Sequence, residues 1–181
     1  MLRANNLLRI VIAAFAALWI AMPATAADLT IGLATDITSL DPHFHNVTPN
    51  NSLGFHIFGY LVERDEKSHL VPGLATEWKT IDPTTWEFKL RPSITFTNGE
   101  PFNADAVVAS VTRIIDPTLK SEQISYFGTI TGAKKVDDLT VDITTNGPDP
   151  ILPARMYWMK MVPPKYASDP NFASHPIGTG P

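Results

Sequence analysis

No cysteine occurs among the 181 residues of this sequence. The chain therefore cannot form disulfide bonds, thiolate zinc sites, iron–sulfur clusters or a cysteine nucleophile. It also lacks any run of basic residues, and its formal net charge of −4 argues against nucleic acid as a partner. The hydrophobic fraction of 44% is too high for a disordered chain, so we expect one globular domain, or one domain with part of another.

Charge is almost absent from the first 26 residues, where Arg3 and Arg9 are the only charged side chains. An uncharged run follows over Ile10–Met22, and Pro23 separates it from Ala24-Thr25-Ala26. This order is typical of a cleaved secretory signal peptide. An uncleaved membrane anchor is the alternative, but the apolar run is shorter than the ~20 residues that span a bilayer as a helix. The sequence thus predicts a signal peptide over residues 1–26 and a periplasmic mature protein without a lipoprotein cysteine.

Alternation of apolar and polar residues, which is typical of strands, occurs in three places. The first is Leu29–Leu33, and the second is Trp86–Leu90. In the third, Lys134–Val136 and Leu139–Ile143 flank the turn residues Asp137-Asp138, which predicts a hairpin.

Helical spacing of apolar residues occurs between these strands. Thr48 is predicted to cap a first helix whose apolar positions extend to Leu61. Asn103 is predicted to cap a second helix, which ends at Asp116 because a residue before proline avoids the helical region. Asp149-Pro150 predicts the start of a short third helix. The alternation of strands and helices indicates an α/β fold with a mixed sheet.

Seven segments of the mature chain, taken in order, carry a specific resemblance. They are Asp41-Pro42, Tyr60–Val62, Leu70–Trp78, Trp86–Arg91, Phe96–Val107, Val162-Pro163 and Pro176–Pro181. Together they resemble the family 5 extracellular solute-binding proteins, which are the oligopeptide-, dipeptide- and nickel-binding receptors of ABC importers. One such segment alone would be weak, but the ordered series covers nearly all of the mature chain.

The resemblance implies an α/β fold of the periplasmic binding protein type II-like kind, in which two lobes enclose a cleft. It assigns residues 27–58 to the start of lobe one, residues 59–168 to an inserted accessory subdomain, and residues 169–181 to a return into lobe one. Because family members continue beyond this point, the chain resembles an N-terminal fragment. We therefore expect an incomplete lobe one and no second lobe.

The resemblance also implies a function. The protein is expected to be the periplasmic substrate-binding component of an ABC transporter, and to deliver a solute to a permease in the inner membrane. We expect a monomer that binds peptides, is not an enzyme and holds no cofactor. Nickel complexes, opines and sugars stay open as solutes, because the residues that distinguish them in the family would lie beyond Pro181.

Two groups of residues are candidates for ligand binding. The first group is Phe44, His45 and Asn46, which follow the predicted first strand. Loops at the carboxyl ends of strands face ligand clefts in α/β proteins, and the cleft residues of the family fall in this neighbourhood. The second group is Tyr157 and Trp158, whose rings offer large contact areas with a polar tip. Ordinary packing is the alternative for both groups.

A secreted hydrolase or a metal-dependent enzyme is the alternative function. Ser39, Asp41 and His43 are the residue types of a hydrolase triad, but no nucleophile elbow surrounds any serine. His43 and His45 would share one face of a strand and could bind a transition metal, but no third ligand follows at a suitable spacing. We therefore predict no catalytic residue and no metal site.

Two residue groups, and the extent of the domain itself, allow two interpretations each. Asp137-Asp138 and Asp142 fit no calcium loop, and a hairpin turn accounts for the first two. Arg155 could pair with a ligand carboxylate or lie on the surface. A small structural domain, complete as written, is a third hypothesis, whereas the fragment hypothesis predicts exposed apolar surface around Ile31 and Ile177.

Overall fold

The computed structural model describes residues 30–180, and the predicted signal peptide lies outside this range. Residues 33–180 belong to one unit by their contacts. The elements in chain order are α1 (Thr48–Ile57), β1 (Val62–Arg64), β2 (Leu70–Pro72), β3 (Ala75–Asp82), β4 (Thr85–Leu90), α2 (Ala104–Ile115), a 3-10 turn (Pro117–Leu119), α3 (Ile124–Phe127), β5 (Ile130–Asp137), β6 (Thr140–Thr145) and α4 (Leu152–Arg155). Within the described range, no helix combines the length and the hydrophobicity needed to cross a bilayer.

The larger sheet has four antiparallel strands in the order β3–β4–β6–β5. The predicted strand Trp86–Leu90 is confirmed as β4, in which Phe88 is fully buried opposite Val141 of β6. The predicted hairpin is confirmed as β5 and β6, and Asp137 Oδ1 accepts a hydrogen bond from the backbone of Leu139 at its turn, at 2.8 Å. The second sheet is the antiparallel pair β1–β2. The α/β class is thus confirmed, although both sheets of residues 30–180 are antiparallel.

Helix α2 packs across the larger sheet and completes the core. Its predicted cap is confirmed, because Asn103 Oδ1 accepts from the backbone N–H groups of Asp105 and Ala106 at 3.0 and 3.3 Å. Val107 and Val111 are fully buried on its inner face, against β5 and β6. The helix ends before Asp116, as predicted from the following proline.

The prediction of a strand at Leu29–Leu33 is wrong for its described part, residues 30–33. These residues form no strand, and Ile31 and Leu33 are 62% and 46% exposed. A strand needs a neighbour that completes its hydrogen-bond ladder, and no described segment pairs with this one. The fragment hypothesis predicted exposure at Ile31 and at Ile177; Ile177 instead is half-buried and packs against the main core.

The first helix is shorter than predicted, and it lacks the predicted cap. Thr48 is its first residue, and the capping position belongs to Val47, which makes no side-chain cap. The helix ends at Ile57 because Phe58 is extended, with its N–H bonded to Gly54 O at 3.0 Å. Tyr60 therefore lies outside the helix, where it forms a β-bridge with Lys160.

A pair of opposed carboxylates on the larger sheet gives a first prediction. Asp142 lies directly opposite Glu87, on the face away from Phe88. Burial raises the pKa of Asp142, and the charge of Glu87 adds to the rise. Because the folded pKa exceeds the unfolded one, ionisation of Asp142 costs stability at neutral pH, and the cost disappears below the unfolded pKa. We expect Asp142→Asn to raise the free energy of unfolding at pH 7 by up to about 1 kcal/mol.

Chemical denaturation at pH 7 measures this gain, which should shrink as the pH falls towards about 3. Asp137→Ala, at the turn of the same hairpin, is the matched control. It removes the acceptor of the Leu139 N–H and should lower stability. A loss of stability in Asp142→Asn at pH 7 would contradict the prediction.

Candidate ligand-binding region

The loop that carries Phe44, His45 and Asn46 is not a strand, and its two histidines differ in environment. His43 is fully buried, with its Nε2 2.7 Å from Lys160 O. His45 is half-buried, with its Nδ1 3.4 Å from Glu122 Oε1. Burial lowers the pKa of His43 to about 4, and the charge of Arg113 adds to the fall, so this ring is neutral at physiological pH. The two rings thus have separate partners rather than a shared metal-binding face.

The segment 121–123 holds this loop in place. Every residue from 43 to 46 makes a hydrogen bond to it. Ser121 Oγ donates to His43 O, the Glu122 N–H donates to Phe44 O at 2.9 Å, Gln123 Nε2 donates to His45 O at 2.8 Å, and the Asn46 N–H donates to Glu122 Oε2 at 2.9 Å. The side chain of Phe44 itself stays 38% exposed beside this anchor. The loop therefore has a defined backbone, and the side chain of Phe44 is open to solvent.

An ion pair fixes the start of the same loop. Both oxygens of Asp41 accept from Arg113 of α2, at 2.9 and 2.6 Å. Asp41 Oδ1 also accepts from the His43 N–H at 3.0 Å. The guanidinium of Arg113 further donates to Ala167 O at 3.1 Å and lies over the ring of Phe172. This ion pair joins the loop, α2 and the 167–172 segment.

A buried polar network connects the loop to Lys160. Asn51 of α1 is its centre: its Nδ2 donates to Asn46 Oδ1 at 2.9 Å, and its Oδ1 accepts from Lys160 Nζ and from Gln123 Nε2 at 2.8 and 3.0 Å. The lysine side chain passes α1 at Gly54, where a Cβ atom would come within 2.6 Å of Lys160 Cε. The absence of a side chain at Gly54 thus gives Lys160 its place against the helix.

The second candidate group belongs to an aromatic cluster. Phe55 lies between Tyr60 and Tyr157, with ring centroids 5.1 and 5.2 Å away. Trp158 stacks on Tyr126 at 5.2 Å with nearly parallel planes. Tyr157 lines an open groove of about 530 Å³, whereas the ring of Trp158 packs within the cluster. Of the pair, Tyr157 is the residue that lines the groove.

The two candidate groups are joined through the network. Asn46 reaches Lys160 by way of Asn51, and Lys160 Nζ lies 5.9 Å from the centre of the Tyr60 ring. Tyr60 in turn stacks on Tyr157. The two groups therefore lie at opposite ends of one series of neighbouring side chains.

The residues named for a hydrolase triad or for a ligand carboxylate have other partners in the structure. The Asp41 carboxylate bonds the backbone of His43 and not its ring, and Ser39 Oγ accepts from the Asp41 N–H at 3.0 Å, so no triad forms. Arg155 is paired within the chain, with its Nη1 donating to Tyr126 O and its Nε 3.1 Å from Asp149. Among residues 30–180, no three His, Cys, Asp or Glu side chains cluster closely enough to hold a metal ion.

The sequence predictions omitted Asn51, Gln123 and Lys160. One signal for Lys160 was available, because it is the only charged residue in the otherwise apolar stretch from 156 to 162. Nothing in the local pattern distinguished Asn51 or Gln123, since their role depends on contacts with distant parts of the chain.

Comparison with known proteins gives a family match. The model of "Bacterial extracellular solute-binding proteins, family 5 Middle" matches residues 69–181, which is more than half of the chain.

Curated relatives include two binding proteins. The chain is 28% identical over 191 residues to the periplasmic oligopeptide-binding protein OppA of Salmonella typhimurium, covering 90% of the chain and 34% of that protein. It is 31% identical over 180 residues to the glutathione-binding protein GsiB of Pectobacterium atrosepticum, covering 95% and 35%. It is also 32% identical over 123 residues to the HTH-type transcriptional regulator SgrR of Yersinia enterocolitica, covering 65% and 20%. The chain thus spans about a fifth to a third of these relatives.

Solved structures share the fold. The A. tumefaciens R10 protein MoaA in complex with mannopinic acid matches with a TM-score of 0.72 and 31% identity, over 81% of this chain and 32% of that one. The Escherichia coli murein tripeptide binding protein MppA matches with a TM-score of 0.71 and 28% identity, over 78% and 32%.

Proposed function

Because the chain belongs to the family 5 bacterial extracellular solute-binding proteins, we propose that it is part of a periplasmic receptor that captures a solute for an ABC importer. The family match over residues 69–181 is the observation that carries this proposal. In the proposed receptor, two lobes close over the solute by a hinge, and the closed monomer delivers the solute to a permease in the inner membrane. The protein binds its solute without transforming it, and it needs no cofactor.

Peptides are the proposed solutes. Relatives and structural neighbours named for binding oligopeptides, glutathione and a murein tripeptide support this class. Main-chain hydrogen bonds would supply affinity, while roomy pockets accept varied side chains. Opines are the second class to test, because the MoaA structure contains mannopinic acid.

The proposed domain arrangement keeps the boundaries given by the resemblance. Residues 27–58 and 169–181 belong to lobe one, and residues 59–168 form the accessory subdomain. Contacts between the end of α1 and residues 178–180 support the first assignment, since the Gly180 N–H donates to Ile57 O at 2.9 Å. The antiparallel sheet β3–β6 lies entirely within the second range and supports it.

The experiment that tests this function identifies the solute. The complete reading frame that contains this chain is expressed with its leader, the exported protein is purified, and released small molecules are identified by mass spectrometry. We expect peptides, and we expect those peptides to raise the melting temperature of solute-free protein. Turnover of a peptide during incubation, or the absence of any solute together with no shift from a peptide library, would contradict the proposal.

A prediction follows for the proposed site residues Phe44, His45, Asn46, Tyr157 and Trp158. His45→Ala removes a half-buried ring on the loop and its contact with Glu122, so we expect solute affinity to fall about tenfold. Calorimetric titration measures this change. His69→Ala is the matched control, because His69 pairs with Asp65 in an exposed turn and should leave affinity unchanged. Equal affinities of both variants would remove His45 from the site.

A further inference from the structure

Lys160 is a buried cation, and no carboxylate within residues 30–180 neutralises it. Its side chain is 1% exposed, and its Nζ makes one hydrogen bond, to Asn51 Oδ1. An ammonium carries three donor hydrogens, so two of them have no protein acceptor in the described part of the chain. Asp41 lines the same small cavity as Lys160, but both of its oxygens are bound by Arg113.

Other compensation for this charge is weak. The ring of Tyr60 lies 5.9 Å from Nζ, at the outer limit of a cation–π contact. Burial lowers the pKa of Lys160 to about 8, with no acidic neighbour to oppose the fall. Charged and ionisable groups on the surrounding elements are Asp41, His43, Arg113, the half-buried His45 with its exposed partner Glu122, and the exposed His56 of α1. The two carboxylates in this set are already paired with Arg113 and His45.

The position of Lys160 connects it to the candidate loop. Its ammonium lies behind Asn51, which holds Asn46, and its carbonyl oxygen contacts the ring of His43. The cavity beside it has a volume of about 10 Å³, enough for one water molecule, and His45 forms part of its wall. A ligand group therefore reaches the buried charge only when this loop moves outward from its anchor at residues 121–123.

We propose that Lys160 is the counter-charge for a carboxylate of the bound solute, which enters beside the loop Phe44–Asn46. This inference rests on the proposed function and narrows its solutes to those that carry a free carboxylate. A carboxylate at Nζ would accept the two unused hydrogens and neutralise the charge within a buried site, where such a contact is strong. Asn51 would remain satisfied by Gln123 Nε2.

Two neutral variants of the complete reading frame test the proposal. Lys160→Met removes both the charge and the donor to Asn51, while Lys160→Gln keeps a donor without the charge. Lys165→Met is the matched control, because Lys165 is exposed five residues later. The probes are trialanine and trialanine amide, which differ in the terminal carboxylate. We expect the unmodified protein to prefer trialanine by at least about 30-fold, and both Lys160 variants to lose this preference.

Proton exchange supplies a second readout. A bound carboxylate favours the charged form of Lys160, so binding of trialanine at about pH 9 should take up a proton. Calorimetry in buffers of different ionisation enthalpy measures this uptake. In the unmodified protein and in Lys165→Met, the uptake with trialanine should exceed the uptake with trialanine amide, whose amino group is the same; in Lys160→Met the two uptakes should be equal. A lysine that only positions Asn51 would give equal uptakes for both probes in every variant.

The outcomes separate this inference from the proposed function. If Lys160→Gln prefers trialanine as strongly as the unmodified protein does, the inference is overturned and the receptor function stays intact. The same conclusion follows if the unmodified protein binds both probes with equal affinity. If neither probe binds, the co-purified solutes replace them, and retention of carboxylate-bearing solutes by Lys160→Met overturns the inference. If no solute binds at all, the proposed function fails, and the inference fails with it.

Discussion

Replacing Asp41 by alanine is expected to lower the free energy of unfolding by about 3–5 kcal/mol, because it leaves the charge of Arg113 buried without its carboxylate. The side chains of Arg113 and Asp41 are only 17% and 12% exposed, and two hydrogen bonds join them. The same substitution removes the acceptor of the His43 N–H, so the candidate loop loses its anchor at one end. Chemical denaturation of the purified variant measures the loss.

Two further variants show whether the loss arises from the buried ion pair. Asp105→Ala breaks the ion pair between Asp105 and Lys135, whose side chains are 55% and 36% exposed, respectively. This change should lower the free energy of unfolding by less than about 1 kcal/mol. Arg113→Met combined with Asp41→Ala removes both charges and should be more stable than Asp41→Ala alone. Equal losses in Asp41→Ala and Asp105→Ala would show that burial of the pair contributes little.

The same ion pair predicts a pH dependence. Burial by itself raises the pKa of Asp41, but the hydrogen bonds from Arg113 and from the His43 backbone outweigh burial, so the pKa lies below its ordinary value. A carboxyl group with a lowered folded pKa stabilises the fold above its unfolded pKa, and this contribution is lost as the pH falls through the folded pKa. The difference in stability between the unmodified protein and Asp41→Ala should therefore be full at pH 7 and shrink below about pH 4.

Elements whose cause is local were predictable from the sequence. Helix α2 begins after the side-chain cap of Asn103 and ends before Asp116, which precedes a proline. The segment Trp86–Leu90 shows the apolar–polar alternation of a strand. Strand β3 was missed because its residues Ala75–Asp82 are mostly exposed and carry little apolar alternation. Its extended form depends on pairing with β4 at the edge of the sheet. Leu29–Leu33 shows the converse, since alternation without a partner strand gave no strand in residues 30–33.

The candidate site was predictable only in part, because it too depends on contacts between distant parts of the chain. His45 and Asn46 could be named from their place after the predicted strand, and Tyr157 from its chemistry. The network that joins them connects positions 72 to 117 residues apart, through Gln123, Asn51 and Lys160. Contacts at such separations follow from the tertiary fold, and no periodicity in the sequence encodes them.

Gly178→Ala is expected to detach the segment 178–180 from the end of α1. A Cβ atom at this position would lie 1.9 Å from Ile57 O, and the obstacle is backbone, which cannot rotate away. Gly178 O accepts from the Thr97 N–H and the Gly180 N–H donates to Ile57 O, both at 2.9 Å, so the segment is held by its own backbone. We expect a loss of about 3 kcal/mol or more in the stability of this contact. Hydrogen exchange at the Thr97 and Gly180 amides measures it.

Gly147→Ala is the control that separates this close approach from a general effect of losing a glycine. Nothing lies within 4 Å of a Cβ at Gly147, so stability there should change by less than about 0.5 kcal/mol. In Gly178→Ala, the free energy of global unfolding should fall by less than the local opening free energy measured at the Thr97 and Gly180 amides. The reason is that the core around Phe88 and Val107 does not include Gly178. That pattern would support a return of the chain onto the lobe that contains α1. An equal loss of protection throughout β4 and α2 would instead assign residues 178–180 to the accessory subdomain, and the proposed boundary near residue 169 would then be wrong.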